Sequence, residues 1–392
     1  MKKVLLITPG ILPVPASMGG AVEYLTELYL TENDKKQQVE FDVTTITYQK
    51  KVKNPYQNTN LIWIKGYPLK FQISRAVRYL FNKIFPFYMD NAYIHEVLKV
   101  LKKRKEKYDL IFIENNPLFV KSIRKIDKNT KIILHLHNDY LNDTSKHHQY
   151  ILDQCERIYT VSDYIGKRVQ TIAPTDKVVT LYNGIEIEKF NKKASKKEIL
   201  EFRKSYGISE DDFVILFAGR LIKEKGILEL LMVFKKLLQK NKNMKLLIVG
   251  SKAFKGSRKD GFIRKLNQLA KDCKDHIIFT GFLDYDKMPL IYQASNVSVV
   301  PSNWGEPLAT TVIEGIESGI FQIVTNDGGI PEMVAGTSAK VIDKNHLEEE
   351  LFHSLEEVIK NKENIKRVTY DKELLNRFHK DRYVKELLDN IK

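Results

Sequence analysis

A chain of 392 residues, 43% of them hydrophobic, is long enough for two domains of ordinary size and has the apolar content to give each a core. Its 64 Lys and Arg against 49 Asp and Glu leave a net charge of +15, which suits an anionic partner such as a nucleotide or a membrane, and equally a solvated lysine-rich surface. Two cysteines, Cys155 and Cys273, lack metal-like spacing and fit free thiols in a reducing cytosol rather than a disulfide framework, and no apolar run approaches the roughly 20 residues that span a bilayer.

Residues 4–8 (VLLIT) are too short an apolar run for the core of a signal peptide and read as a buried strand ending at Pro9-Gly10. Gly19-Gly20 then precedes a helix from Ala21 on which Val22, Leu25, Leu28 and Tyr29 recur at helical spacing. That order can bring backbone N–H groups beside a phosphate, although no Gly-x-Gly-x-x-Gly is present. Strands follow at 41–47 and 61–64. Residues 65–88 carry five basic side chains, Lys65, Lys70, Arg75, Arg78 and Lys83, and no acid, with Phe71, Val77, Leu80, Phe81, Ile84, Phe85 and Phe87 interleaved. The pattern fits a helix lying on an anionic membrane surface, or an ordinary amphipathic packing helix.

Residues 108–114 (YDLIFIE) and 131–136 (KIILHL) read as buried strands, the second running into His137-Asn138-Asp139. Ligand chemistry in an α/β sheet gathers beyond the carboxyl ends of the strands, which makes His137 a candidate for the reacting centre. His135 shares its face if the strand runs on, so His-x-His with Asp139 mimics a metal site; with no further ligand run, His135 reads as a core residue and no metal is expected. After strands at 157–162 and 178–182 and an Asn183-Gly184 turn, a charge-rich stretch leads to a new strand, glycine and helix series from Phe213. This places a domain boundary near 190, giving domains 1–189 and 190–370.

In the second series, the strand 213–218 leads to Gly219-Arg220, then Lys225-Gly226 and a helix, so Arg220 and Lys225 flank a turn where two cations can clamp a diphosphate. Strands at 246–250, 277–280, 297–300 and 321–325 alternate with helices, the pattern of a parallel α/β sheet. Asp284-Tyr285-Asp286 could hold a divalent cation but reads as an N-cap and a first-turn acid. Pro307 biases Glu306 towards an extended conformation and can itself open a helix, which puts Glu306 at the mouth of a helix start and Glu314, eight positions on, inside the helix. Unpaired first-turn N–H groups there form an anion site.

Gly19-Gly20-Ala21-Val22-Glu23 (GGxxE), AGRLIKEKG at 218–226 and EPLATTVIEG at 306–315, with VSDYIG, LYNGIEIEKF, TGFL and TNDGGIPE in matching order, make the chain resemble a family 4 (group 1) glycosyltransferase. The resemblance runs almost end to end. It implies the GT-B fold, two Rossmann-like α/β domains with mostly parallel sheets facing an interdomain cleft, and a last helix, here 371–392, crossing back to the first domain. It implies a retaining hexosyltransferase (EC 2.4); the lack of a spanning run and the basic aromatic stretch 65–88 suit a cytoplasmic protein or one peripheral at the inner face of the membrane. Its donor would be a UDP- or GDP-sugar, used without cofactor or metal. Its acceptor would be a glycan or, as the basic aromatic stretch 65–88 suggests, a lipid-linked molecule in cell-envelope or capsular polysaccharide synthesis, with no nucleic acid partner. Carried over residue by residue, the resemblance gives Arg220 and Lys225 to the donor diphosphate, Glu314 to the ribose diol, Glu306 to hydroxyls of the donor sugar and His137 to the sugar ring. Gly19, Gly20, Phe282, Leu283, Leu308, Ala309 and Thr310 line the donor pocket in that reading. Pro307-Leu308-Ala309 stands where many relatives have Gly-Phe-Gly, so the sugar pocket is expected to differ in shape.

Two other classes fit the same architecture. A dinucleotide-dependent oxidoreductase is opposed by the missing Gly-x-Gly-x-x-Gly and by the paired glutamates. A non-enzymatic basic protein binding nucleic acid or membrane needs neither Arg220 nor Glu306.

Overall fold

The structure is a computed structural model, which describes residues 1–50, 53–85, 89–104, 106–250, 261–365, 368–370 and 372–392. The chain divides into two units, Met1–Gly184 with Asp381–Lys392, and Ile185–Lys380.

Seven strands build the first unit: β1 (Lys2–Ile7), β2 (Val39–Thr47), β3 (Thr59–Lys65), β4 (Leu110–Glu114), β5 (Lys131–Leu136), β6 (Arg157–Thr160) and β7 (Val178–Thr180). They lie in the order β3-β2-β1-β4-β5-β6-β7, with every neighbouring pair parallel. The central strands are near-continuous apolar runs because helices cover both faces of such a sheet; Val4 to Ile7 and all of β4 are buried. The strand order reverses at β1, so the crevice between the ends of β1 and β4 is the topological switch point. The last helix, Lys380–Ile391, adds Tyr383, Val384, Leu387, Leu388 and Ile391 to the same core as Val4, Leu6 and Phe112. Asp371, where a crossing helix was expected to begin, lies outside the described residues, and a short helix at Lys372–Asn376 precedes the last one.

The second unit has six parallel strands, β8 (Phe213–Ala218), β9 (Met244–Val249), β10 (Ile277–Gly281), β11 (Val297–Val300), β12 (Phe321–Thr325) and β13 (Lys340–Ile342), in the order β10-β9-β8-β11-β12-β13. Its switch point lies between β8 and β11. There the turn after β8 approaches the end of β11 so closely that a Cβ on Gly226 would lie 1.9 Å from the Pro301 carbonyl oxygen, and Gly226 has a φ of +67°. Only glycine fits. The edge strand β13 is a three-residue element too short to leave a period in the sequence.

The helix expected to open at Pro307 instead begins at Thr310 and runs to Ser318. Residues 306–309 remain a buried loop because their backbone is held from outside, as described below. Of the basic aromatic stretch 65–88, a helix occupies Leu69–Ile84, and 86–88 lie outside the described residues.

Candidate active site

Three elements meet at the β8/β11 switch point: the turn carrying Lys225, the loop after β11, and the helix Thr310–Ser318. Parallel pairing of β8 with β11 accounts for the meeting, since Lys225 and Glu306 follow the carboxyl ends of adjacent strands although 81 positions separate them. Lys225 Nζ forms an ion pair with Glu306 Oε2, and the same oxygen accepts from Trp304 Nε1 at 3.0 Å and from Ser302 Oγ at 3.3 Å. Glu306 Oε1 takes no hydrogen bond from a described residue, which leaves one face of a buried, charge-balanced carboxylate for a ligand hydroxyl.

A residue given no role in the sequence reading holds this loop in place. The backbone N–H groups of Trp304, Gly305 and Glu306 all donate to Asp327 Oδ2, at 3.1, 2.8 and 2.9 Å, and Lys344 Nζ pairs with Oδ1 of the same carboxylate. Asp327 is fully buried. Gly329 N–H donates to the Glu306 carbonyl at 2.7 Å, and a Cβ on Gly328 would lie 2.2 Å from that carbonyl oxygen. With its backbone tied to Asp327 and Gly329, Glu306 cannot join the helix that follows. An acid directly ahead of Gly-Gly, after a buried strand, was the available sign of this clamp.

Glu314 sits on the second turn of the helix Thr310–Ser318, buried, with Tyr292 Oη donating to Oε2 at 3.0 Å and Tyr285 Oη to Oε1 at 3.3 Å. Burial pushes its carboxyl up to about 7, against the opposing effect of the two tyrosine hydrogen bonds. The helix start at Ala309 has no side-chain cap, so its first N–H groups have no acceptor of that kind. Leu308 and Ala309 are buried beside it, whereas Thr310 is half-buried. Arg220 follows β8 by two residues, is exposed, and makes no side-chain contact of its own with a described acid. Phe282 is exposed and Leu283 half-buried beyond β10. Asp284 precedes a short turn without capping it through its side chain, and Asp286 pairs with Lys189 at 2.9 Å. The expected N-cap bond is therefore absent, and Asp286 is taken up by an ion pair.

In the first unit, β4 and β5 end side by side, with Glu114 opposite His135 in the register. Glu114 Oε2 lies 3.0 Å from His137 Nε2 and 3.2 Å from His135 Nδ1, while Oε1 accepts from Tyr29 Oη at 3.0 Å. All four side chains are buried. Burial alone would raise the Glu114 carboxyl, but the two imidazoles outweigh it and hold the group at about 2. Burial, reinforced by His135, lowers His137 to about 4, with Glu114 only partly offsetting this. His137 is therefore neutral at pH 7 and donates from Nε2 to the ionised Glu114. Its Nδ1 is left as an unprotonated acceptor, buried and without a hydrogen-bond partner among the described residues. Asn115, at a φ of +52°, fixes the approach by accepting from the His137 backbone N–H at 2.9 Å.

The pairing of His135 and His137 with Asp139 did not form. Asp139 binds Arg168 Nε at 2.7 Å and Asn142 Nδ2 at 2.8 Å, and Glu114 takes its place beside the imidazoles. One carboxylate and two imidazole nitrogens lie within 4.8 Å of one another, and hydrogen bonding to ionised Glu114 accounts for the grouping. Glu23, last residue of the glycine motif, joins this end of the sheet. Gly20 has a φ of +107°, and a Cβ there would lie 2.2 Å from Glu23 Oε2. Glu23 is buried and pushed up to about 7 by that burial, with the Glu114 charge adding to the rise.

Two parallel-sheet Rossmann-like units, the second with paired glutamates and a lysine around an uncapped helix start, define a glycosyltransferase of the GT-B fold. Comparison with known proteins agrees. Residues 19–189 match the family described as Glycosyltransferase Family 4, and residues 198–374 that described as Glycosyl transferases group 1. A Bacillus subtilis (strain 168) protein named as a glycosyltransferase, YtcC, is 33% identical over 274 residues, which cover 64% of this chain and 67% of that one. The lipopolysaccharide 1,2-N-acetylglucosaminetransferase of Salmonella typhimurium is 27% identical over 244 residues, 62% of this chain and 61% of that one. Anabaena Alr3699/HepE, solved in complex with UDP and glucose, has the same fold with a TM-score of 0.70 at 15% identity, covering 100% of this chain and 99% of that one. The chain belongs to glycosyltransferase family 4.

Proposed function

We propose that this glycosyltransferase moves a hexosyl group, with retention of anomeric configuration, from a UDP- or GDP-sugar to a glycan or lipid-linked acceptor in the synthesis of a cell-envelope or capsular polysaccharide. The observation that carries the reading is the Lys225–Glu306 pair standing beside the uncapped start of the helix that bears Glu314. The Salmonella relative's named activity supports the class of acceptor, and the nucleotide in the Anabaena complex supports the class of donor.

In this reading the donor diphosphate lies at the helix start, where the first-turn N–H groups, Arg220 and Lys225 face it. Phe282 and Leu283 flank the base, and Gly19 and Gly20 allow a close backbone approach to the donor. Glu314 accepts both hydroxyls of the ribose, and the free Oε1 of Glu306 accepts a hydroxyl of the sugar. The bond between the anomeric carbon and the diphosphate oxygen breaks as the acceptor oxygen bonds to that carbon. Negative charge then grows on the leaving phosphate, where fixed cations and N–H donors stabilise the transition state more than the ground state. The leaving phosphate itself takes the acceptor proton, so no separate base and no metal are needed. His137, neutral, orients the sugar and answers positive charge at its ring.

Incubating the full chain with a panel of UDP-, GDP- and other nucleotide sugars, read by mass spectrometry, tests the proposal. Release of UDP or GDP from one sugar is expected. A panel left untouched, or a nicotinamide-dependent absorbance change in its place, overturns it.

A further inference from the structure

The helix Leu69–Ile84 of the first unit is inside out. A surface helix normally turns its apolar stripe to the core and its polar face to water. Here Phe71 is the only side chain of the helix that is buried. The rest of the inward face is polar and bonded to the body: Gln72 Nε2 donates to the Gly66 carbonyl, Arg78 Nη1 to the Asp90 carbonyl at 2.9 Å, and Asn82 exchanges two 2.9 Å bonds with Met89. The outward face is apolar. Leu69, Ile73, Val77, Leu80 and Ile84 recur at spacings of four, four, three and four, which places them in one stripe, and they are between 55% and 75% exposed.

We infer that this face docks the protein on an anionic lipid bilayer, with the helix lying in the plane of the interface. The inference stands apart from the proposed sugar transfer, since it uses no residue of that site. Packing does not account for the stripe, because nothing among the described residues of the first unit covers it.

Charge selects the occupant. At 3.6 residues per turn, Lys70 and Lys83 fall about 60° and 80° to either side of the centre of the stripe. There their stems lie along apolar surface while the ammonium groups reach lipid phosphates. Both are exposed, as is Arg75, and none of the three forms an ion pair with a described acid. From residue 43 to residue 89 the chain has no Asp or Glu at all. A second copy of the chain would set like charges against each other with no acid to separate them. A bilayer instead supplies apolar depth and negative headgroups together. Sixteen residues with four basic ones among them are too short and too charged to cross the bilayer, and no described helix is long and apolar enough to do so.

The test uses the full chain and sedimentation with vesicles of pure phosphatidylcholine, or of phosphatidylcholine with phosphatidylglycerol. Binding is expected to be at least tenfold tighter to the anionic vesicles at low salt and to weaken as salt rises. The exposed pair Leu80→Ser and Ile84→Ser should cut it at least tenfold, and Lys70→Ala with Lys83→Ala should lose the preference for anionic lipid, both with nucleotide-sugar hydrolysis in solution unchanged. Equal partition of wild type and both variants overturns the inference. So does a wild-type dimer in analytical ultracentrifugation that Leu80→Ser with Ile84→Ser dissociates, since the stripe then belongs to a second copy. Loss of hydrolysis in the wild type bears on the transfer reading alone.

Discussion

The two units place carboxylates at equivalent points, the carboxyl ends of strands at a topological switch, and treat them in opposite ways. In the first, Glu114 is closed in by two imidazoles and a tyrosine, and all its acceptors are turned inward. In the second, the Glu306 bonds crowd onto one oxygen and leave the other open. The first arrangement fixes a tautomer; the second keeps an acceptor in reserve. A buried acid at a strand end is therefore no sign of its use until each of its oxygens has been followed.

Breaking the open arrangement is expected to have the largest effect. Lys225→Ala removes the counter-charge of Glu306 and a cation facing the proposed diphosphate, and should lower kcat/KM about 10³-fold in a donor hydrolysis assay. An unchanged kcat/KM would remove Lys225 from the site. On the closed side, His137→Ala deletes the acceptor Nδ1 and should lower turnover about 100-fold while donor affinity by titration calorimetry moves little. A loss confined to affinity would place the imidazole in binding instead.

A smaller effect separates the glutamates. Glu314→Ala should weaken nucleotide binding about tenfold or more, through loss of a charged acceptor. Because burial holds Glu314 at about 7 and a diol requires the ionised form, nucleotide affinity in the wild type should fall as pH drops through 7. Glu314→Gln should bind weakly and lose that part of the slope, so equal slopes in the two proteins reject the assignment.

The smallest effect is on stability against pH. Glu114 is held at about 2, below its ordinary value of 4.5, so the stability it adds is present above about 4.5 and is lost as pH falls towards 2. Glu23, raised to about 7, works in the other direction and burdens the fold increasingly as pH climbs from 4.5 to 7. Thermal melts should show Glu114→Gln with a flatter acid limb than wild type and Glu23→Gln with less loss of Tm between pH 5 and pH 7. Parallel curves for all three would mean that neither carboxyl is tuned by its burial.

The parallel sheets were legible because strands such as VLLI, LIFIE and LLIV are continuous apolar runs between glycine turns and helices. Gly19-Gly20, Lys225, Glu306 and Glu314 were legible as motif positions, and the structure brings Lys225, Glu306 and the start of the Glu314 helix to one strand-end crevice. Glu114 was hidden as the last letter of a strand. Nothing in its neighbours tells that β4 pairs with β5 in a register that sets it against His135. Asp327 was missed for a similar reason, since its three donors lie 21 to 23 positions upstream and meet it only after β11 and β12 have paired. The helix at Leu69–Ile84 carried a clear period, but a period does not say which face turns inward. Here hydrogen bonds from Gln72, Arg78 and Asn82 decided it.

Three backbone amides converging on one oxygen are the means by which loops elsewhere capture phosphate. At Trp304, Gly305 and Glu306 that trap is already sprung, because the Asp327 carboxylate fills it and Lys344 neutralises the carboxylate from behind. A phosphate reaching this loop meets an anion in residence and is turned away. The loop thus discriminates by prior occupancy: its amides cannot compete for a ligand's charge, and in the proposed reading Glu306 reads hydroxyls from a backbone already tied to Asp327 and Gly329.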